Sequence, residues 1–412
     1  MKEIKIPNNW LFCRMQEIAS IYNGNSISEE VKARDFTGLA TGYNYIATKD
    51  VGFDSIINYE NGVKIPFTRQ DFKVAPKNTP LLCIEGGSAG RKLGFLSEDV
   101  CFGNKLCAFV SPFSQWIYYY LQSHSFRNHF NTNKNGLIGG VSINKLKQIS
   151  IPLPPLAEQK RIVKKIEELF GVIDEQVKRL EATHAALVSY RQSVLTDCLR
   201  KAAGVSTTLG KTVKPRRERV TFNGTNGNMI FIGMDCIESN ALKPHKTDLL
   251  RNTKSTCFIF HKDDVLYGRM RSYLNKVFKA ETNGAASAEF IVFPPTKDIL
   301  PDYLKYLLHQ QDFVSFATRN ASGDRPRVKF EEDLAPFPFT LPSLPEQKAI
   351  VKKIENAFAF ADKAQAAITG ALEQAKQLKQ SILKRAFEGK LVPQDPNDKP
   401  VDLTQIKKDK HK

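Results

Sequence analysis

Leu153-Pro-Pro-Leu-Ala-Glu-Gln-Lys-Arg-Ile-Val-Lys-Lys-Ile-Glu167 returns 188 positions later as Leu341-Pro-Ser-Leu-Pro-Glu-Gln-Lys-Ala-Ile-Val-Lys-Lys-Ile-Glu355. Three positions differ: Pro155/Ser343, Ala157/Pro345 and Arg161/Ala349. The same offset carries Gln192-Ser193-Val194-Leu195 onto Gln380-Ser381-Ile382-Leu383. The unit is too long for a solenoid repeat, so the chain reads as one module built twice, with pseudo-two-fold symmetry. Whatever such a molecule recognises, it is expected to recognise in two halves.

Both repeats read as long helices. In the first, Ile162, Ile166, Leu169, Ile173, Val177, Leu180, His184, Leu187, Arg191, Val194 and Cys198 recur at spacings of three and four. In the second, Val351, Ile354, Phe358, Ala361, Ala364, Ile368, Leu372, Ala375, Leu378, Ile382 and Ala386 do the same. A stripe this narrow predicts a coiled-coil seam rather than a helix lying on a globular core. His184 and Arg191 are then polar seam residues, the first setting register and the second carrying its charge out to solvent. About 40 residues at 1.5 Å each make a rod of roughly 60 Å. Each helix follows a proline-rich lead and has an acid, Glu158 or Glu346, in its first turn. Glycine stops are expected near Gly204 and Gly389. Two single-stripe helices of equal length are most simply satisfied by antiparallel packing on each other.

The blocks between and before them are α+β in texture. Short apolar runs bounded by Gly, Asn, Asp or Pro predict strands at Thr79–Ile84, Leu106–Val110, Met229–Ile232, Cys257–Phe260 and Glu289–Phe293. One helix is expected in each block, Gln115–Ser123 and Asp302–Gln310. Pro80-Leu81-Leu82-Cys83 aligns with Asp264-Val265-Leu266-Tyr267, and Trp116-Ile117-x-Tyr119-x-Leu121 with Tyr303-Leu304-x-Tyr306-x-Leu308. Shared core positions with different loops suit one fold that reads two targets.

Composition narrows the class. The 412 residues, 42% hydrophobic, suffice for two or more packed domains. No run of about 18 apolar residues occurs, and Met1-Lys2-Glu3-Ile4-Lys5 begins no apolar signal segment, so a cytoplasmic protein with no membrane partner is expected. Seven cysteines, never spaced Cys-x-x-Cys, read as reduced core residues. The net charge is +17, and residues 1–152 and 205–343 each hold an excess of five cations. A surplus in both variable blocks is the footprint of a polyanion binder.

Catalytic signatures fail one by one. The pairs Pro154-Pro155 and Pro294-Pro295 lack the leading amide or acid and the following aromatic with which an N6-adenine methyltransferase holds its flipped base. Gly86-Gly87-Ser88-Ala89-Gly90-Arg91-Lys92-Leu93 has the wrong spacing for a P-loop, and Leu93 stands where a hydroxyl would hold magnesium. Glu388-Gly389-Lys390 imitates a nuclease Glu-x-Lys but ends a helix, and no metal constellation is present. The glycine loop can still bring Arg91 and Lys92 against a phosphate backbone. With Tyr43, Asn44, Lys105 and Lys134 they are the DNA-contact candidates of the first block. In the second, Arg269, Arg271 and Tyr273 follow a strand, and Gly323-Asp324-Arg325-Pro326-Arg327 forms another basic loop, matched by Asn133-Lys134-Asn135-Gly136. Arginine at a strand end can grip guanine O6 and N7 or touch phosphate alone. Rival readings are a stand-alone DNA-acting enzyme, which the missing motifs oppose, and a coiled-coil protein scaffold, which the basic, differing lobes oppose.

Over its whole length the chain resembles the specificity (S) subunit of type I restriction–modification systems. The resemblance is carried by the two Leu-Pro-x-Leu-x-Glu-Gln-Lys leads, by the helix end Gln380-Ser-Ile-Leu…Ala386-Phe-Glu-Gly-Lys-Leu-Val-Pro-Gln-Asp-Pro-Asn-Asp398, and by Asp264-Val-Leu-Tyr-Gly-Arg-Met-Arg271. It implies two target recognition domains, 1–152 and 205–340, with conserved helical spacers at 153–204 and 341–392 and a basic tail at 393–412. Each domain would read one part of a bipartite DNA site. The antiparallel coiled coil, with Ile162, Ile166, Leu169, Ile173, Leu180, Ile354, Phe358, Ile368, Leu372 and Ile382 on its seam, would set the spacer and dock two methyltransferase (M) subunits. Restriction (R) subunits would join the full complex. Catalysis, with S-adenosylmethionine, ATP and magnesium, would belong to those partners. The first helix ends Leu195-Thr-Asp-Cys-Leu-Arg-Lys201 without the Phe-Glu-Gly-Lys-Leu of the second, so the two ends need not make equivalent contacts.

Overall fold

In the computed structural model, which describes residues 6–134 and 139–404, the chain divides into two compact units. One combines residues up to 178 with those from 371 onward; the other spans 179–370. Each therefore holds one α+β domain and half of each long helix. Asn135, Gly136 and the tail cations Lys407, Lys408, Lys410 and Lys412 lie outside the described residues.

The first domain contains β1 (Leu11–Arg14), β2 (Ser20–Asn23), β3 (Tyr43–Ile46), β4 (Lys64–Ile65), β5 (Val74–Ala75), β6 (Pro80–Cys83), β7 (Leu93–Phe95), β8 (Val100–Phe102), β9 (Leu106–Val110) and β10 (Ser150–Leu153). The second contains β11 (Val205–Thr208), β12 (Arg219–Val220), β13 (Ile230–Ile232), β14 (Asp248–Leu249), β15 (Cys257–Phe260), β16 (Val265–Gly268), β17 (Val277–Lys279), β18 (Gly284–Ala286), β19 (Phe290–Phe293) and β20 (Pro338–Leu341). Their pairings repeat with the strand number raised by ten. β1 closes on β10 and β11 on β20, both antiparallel over four residues. β3 runs parallel to β8, as β13 does to β18. β5 and β15 flank those partners, and β4 and β14 extend the sheet. β6 lies between β7 and β9, as β16 lies between β17 and β19. Duplication thus extends through the domains, where sequence similarity is faint. The exceptions are β2, on β9, and β12, on β15.

The central strands are buried throughout, as continuous apolar runs of this length require. Helices Ser114–Gln122 and Pro301–His309 cover each core. Asp264, just before β16, is fully buried and meets Arg216 through two hydrogen bonds of 2.9 and 3.1 Å, which compensate its charge. All seven cysteines are buried. Burial pushes the Cys107 thiol up to about 12 and the Cys101 thiol up to about 11.

The long helices run Leu156–Arg200 and Leu344–Phe387. Their duplicated Glu-Gln-Lys has a local cause. The buried side-chain amides of Gln159 and Gln347 donate to the carbonyls of Pro154 (2.8 Å) and Pro342 (2.9 Å), tying each proline-rich lead to the first turn. Glu158 has a further role at its own end: fully buried, it accepts from Trp10 Nε1 at 2.9 Å and from Gln394. Beside it Arg161 pairs with Asp398 at 2.6 Å. The segment after the second helix thereby returns to the start of the first.

Within each unit the two helices run antiparallel. In the first, Ile162, Ile166, Phe170 and Ile173 share a core with Ile382, Leu383, Ala386 and Phe387. In the second, Leu195, Cys198 and Leu199 share one with Val351, Ile354 and Phe358. The buried stripe is wider than a coiled-coil seam near the domains, where Val163, Phe170, Leu195 and Leu199 join it, because each domain adds a packing surface. Ile368 is buried, whereas Leu169, Leu180 and Leu372 are half-buried. Three residues depart from the sequence expectation. His184 is exposed rather than seated on the seam, and so is Leu378, 52% accessible. Gly204 is no left-handed stop either: the helix ends four residues earlier, and a Cβ there would stand 2.2 Å from the Leu341 carbonyl oxygen. Gly389, at φ 67°, does take the left-handed conformation expected of it.

Candidate nucleic-acid interface

In the second domain the chain leaves β16 into Arg269–Asn275. Arg269 donates its amide to the Glu289 carbonyl at 2.8 Å, and its own carbonyl accepts from Val328 at 3.0 Å. Arg271 donates its amide to Pro326 O at 2.8 Å, and Met270 bridges to Arg327. These bonds hold the strand-end loop against the 323–327 loop, bringing together Arg269, Arg271, Tyr273, Arg325 and Arg327. Arg271 sits at φ 53° and Asn275 at φ 49°, left-handed positions that turn the loop sharply. Arg271 and Arg325 are exposed, and Tyr273 is 53% accessible.

The cations in this cluster are not equivalent. Arg327 forks onto Glu289, with Nη2 2.8 Å from Oε1 and Nε 3.0 Å from Oε2. That hydrogen bonding holds the Glu289 carboxyl below its usual range. Arg327 is thereby a brace of the loop. Arg269 is half-buried, with Nε shielded from solvent and without an acceptor. The side chains free to meet a polyanion are those of Arg271, Arg325 and Tyr273.

The first domain repeats the arrangement with other side chains. Ile84 donates its amide to Lys105 O (2.9 Å), Val141 donates to Ile84 O (3.0 Å), and Gly86 donates to Gly139 O (3.1 Å). Lys105 thus occupies the place of Glu289, so the Arg327–Glu289 pair has no counterpart at that position. Gly86 and Gly90 lie at φ 83° and 75°, and a Cβ on Gly90 would stand 2.6 Å from the Phe130 ring, so the loop needs glycine. Arg91 and Lys92 lie 5.3 and 5.2 Å from the Phe53 ring centroid. Arg91 is exposed and donates to Gly87 O; Lys105 and Lys134 are exposed, with Lys134 5.6 Å from the Phe130 ring. Tyr43 and Asn44 belong to the other sheet, on β3. Tyr43 meets Phe67 edge-on at 4.7 Å, and the Asn44 amide donates to Glu98.

Lys92 has a structural task that the sequence reading missed. Its ammonium donates to Thr48 O at 2.9 Å. In the second domain Lys276 occupies the same place: Cys83 donates its amide to Lys92 O as Gly268 does to Lys276 O, which sets Cys83 on Gly268, one residue beyond the sequence alignment of Cys83 with Tyr267. The Lys276 ammonium likewise donates to Met234 O at 2.7 Å. Aligning Lys92-Leu93 with Lys276-Val277 would have revealed the pair. Phe53 and Phe67, 63% and 62% accessible, were also missed, since nothing in their local sequence separates an exposed aromatic from a core one.

Both domains therefore present a strand-end loop, held by the same three backbone hydrogen bonds and carrying different cations and aromatics. Residues 7–182 and 214–374 each match the model of the type I restriction modification DNA specificity domain. The chain belongs to this family.

Its members are specificity subunits, the non-catalytic DNA-recognition components of type I restriction–modification systems. The chain is 23% identical to the type I restriction enzyme StySPI specificity subunit of Salmonella potsdam, covering 96% of this chain and 92% of that one. It is 25% identical to the EcoKI specificity subunit of Escherichia coli strain K12, covering 95% and 91%. Among solved structures it resembles a chain from a study of complex assembly and conformational transition of the type I R-M system, with a TM-score of 0.73 at 17% identity, covering 94% of this chain and 100% of that one. The HsdS subunit from Thermoanaerobacter tengcongensis superposes with a TM-score of 0.54 at 17% identity, covering 95% and 99%. These two likenesses establish the shared fold. Among the described residues no group of His, Cys, Asp and Glu could hold a metal ion, and no helix is long and apolar enough to cross a membrane.

Proposed function

We propose that this specificity subunit reads a bipartite DNA site, one half with residues 1–152 and the other with residues 205–340. The observation that carries this is the duplicated strand-end loop: one pattern of backbone hydrogen bonds, two different sets of exposed side chains. Arg271, Arg325 and Tyr273 serve the second half-site, with Arg269 and Arg327 shaping their loop. Arg91, Lys105, Lys134, Tyr43 and Asn44 serve the first, with Lys92 anchoring the glycine loop. Arginine supplies the geometry to grip guanine or phosphate, and the aromatics supply apolar contact. The helical segments 153–204 and 341–392 fix the spacer between half-sites and dock two methyltransferase subunits, with restriction subunits joining the larger assembly. S-adenosylmethionine, ATP and magnesium act on those partners, in the cytoplasm, and 393–412 forms a basic tail.

The test is to express the chain with its cognate methyltransferase subunits and map methylated adenines genome-wide. A bipartite motif with a fixed spacer is expected, and a contiguous motif would sink the reading. The chain alone should bind duplex with affinity falling steeply from about 50 to 200 mM salt, because neutralising phosphates releases counterions.

A further inference from the structure

Outside the DNA-facing loops, one constellation of side chains occurs twice, where each domain meets the long helices. In the first unit Lys379 pairs with Asp174 across the two helices and lies 4.9 Å from the Phe170 ring. In the second, Arg191 pairs with Asp362 at 2.6 Å and lies 5.2 Å from the Phe358 ring. The offset of 188 maps Phe170 onto Phe358, Asp174 onto Asp362 and Arg191 onto Lys379. The domain contributes a tyrosine to each: Tyr119 meets Phe170 edge-on at 5.9 Å, and Tyr306 meets Phe358 edge-on at 5.8 Å. Each phenol is pushed up by burial and then by the facing carboxylate, Glu167 or Glu355, again one residue repeated. Beside the cation stands a repeated glutamine, Gln380 or Gln192, whose Oε1 is buried without a partner in both copies. The Gln380 amide donates to Gln122 O, at the end of the domain helix, at 3.2 Å.

This retention is selective. The DNA-facing loops of the two domains share a backbone but few side chains, whereas here the aromatics, acids and glutamine are unchanged and Arg replaces Lys. Three elements converge: the domain helix and both long helices. The tyrosine ring set edge-on to phenylalanine fixes the angle at which the domain helix crosses, since such pairs have a preferred geometry. The cation reaching from the opposite helix to the same ring and to the aspartate fixes the register of that crossing.

We propose that these clusters are positioning joints that orient each recognition domain on the helices and so define the spacer length tolerated between half-sites. The proposal rests on the bipartite reading above. Changing the spacer by one base pair displaces a half-site by about 3.4 Å along the duplex, so discrimination between neighbouring spacers requires a domain held firmly.

The test uses the full chain assembled with its methyltransferase subunits, on duplexes bearing the mapped motif with native, shorter and longer spacers. Arg191→Asp places like charges beside Asp362 and Glu355. It should leave methylation of the native spacer and the base preference of both half-sites intact, while preference for the native over neighbouring spacers falls about fivefold, the scale of an exposed ion pair. Lys379→Asp should do the same through the other joint, and Arg191→Asp combined with Asp362→Arg should restore discrimination. Unchanged spacer discrimination in both single variants overturns the joints and leaves the bipartite reading standing. Altered base preference at a half-site overturns them too, by moving these residues into recognition. A wild-type complex that methylates no bipartite motif refutes the underlying reading and the joints with it.

Discussion

Arg271 and Arg327 are two residues apart from Arg269 and Arg325 in sequence, yet their surroundings give them opposite tasks. Arg271 is exposed, while Arg327 is forked onto Glu289. Arg271→Ala should therefore weaken modification at one half-site only, by about 1–3 kcal/mol at a single base position if it grips a base. An even loss across all sequences, measured by methylation of a substituted half-site library, would assign it to phosphate. Glu289 makes a separate prediction through pH. Its folded-state pKa is depressed by Arg327, so the stability it contributes is present above the ordinary value of 4.5 and disappears as pH falls through the depressed value. Thermal unfolding of wild type and Glu289→Gln should differ at neutral pH and converge on acidification. A difference that grows below pH 4.5 would reverse the sign and exclude the brace. Cations and aromatics near glycine-rich strand ends stand out in the sequence, and the structure brings Arg269, Arg271, Tyr273, Arg325 and Arg327 onto adjoining loops while Tyr43 and Asn44 lie on another sheet. Their division into contacts and braces was not legible, since Glu289 and Thr48 reach Arg327 and Lys92 from distant positions in sequence.

At the level of elements, the two long helices, one helix in each domain and five strand runs could be read from periodicity and punctuation, whereas the second domain helices His124–Thr132 and Gln311–Asn320 and the other short strands could not. Leu106–Val110 and Cys257–Phe260 have their expected bounds, and the two domain helices begin one residue early. The width of the long helices' buried face could not be read, because it depends on what each domain lays against them. Phe170 and Leu195 look like flanking residues on a heptad wheel but are buried by Tyr119 and by the second domain's core. Ile166 and Ile354, one position repeated, are both fully buried, each in the core of its own unit. Ile166→Asp and Ile354→Asp should each cost more than about 4 kcal/mol, since an unpaired carboxylate would enter an apolar core. His184→Asp, on an exposed face, should stay within about 0.5 kcal/mol. Denaturant unfolding measures all three. A His184 variant as damaging as the isoleucine ones would place the seam where the heptads alone put it.

For the molecule as a whole, duplication makes a prediction about halves. Residues 1–204 comprise the first domain and the first long helix, but the first unit's core also contains Ile382, Leu383, Ala386 and Phe387 from the second helix. A second copy of the fragment can offer Val194, Leu195, Cys198 and Leu199 at the same four positions, and its Arg191 can stand in for Lys379 beside Asp174 and Phe170. Charge and register therefore favour an isologous dimer. Volume opposes it at one point. Phe387 packs against Trp116 at 4.5 Å and Tyr120 at 5.2 Å, and Leu199 leaves part of that space unfilled. The fragment also loses Gln394 from Glu158 and Asp398 from Arg161. The dimer should accordingly form with concentration dependence in sedimentation, and Leu199→Phe should tighten it by refilling the gap. With methyltransferase subunits it should modify an inverted repeat of the first half-site. A fragment that stays monomeric even with Leu199→Phe would mean that the segment 388–404 is indispensable to the first unit. A dimer that still selected the full asymmetric site would show that one domain reads both halves, contrary to the assignment of one half-site to each.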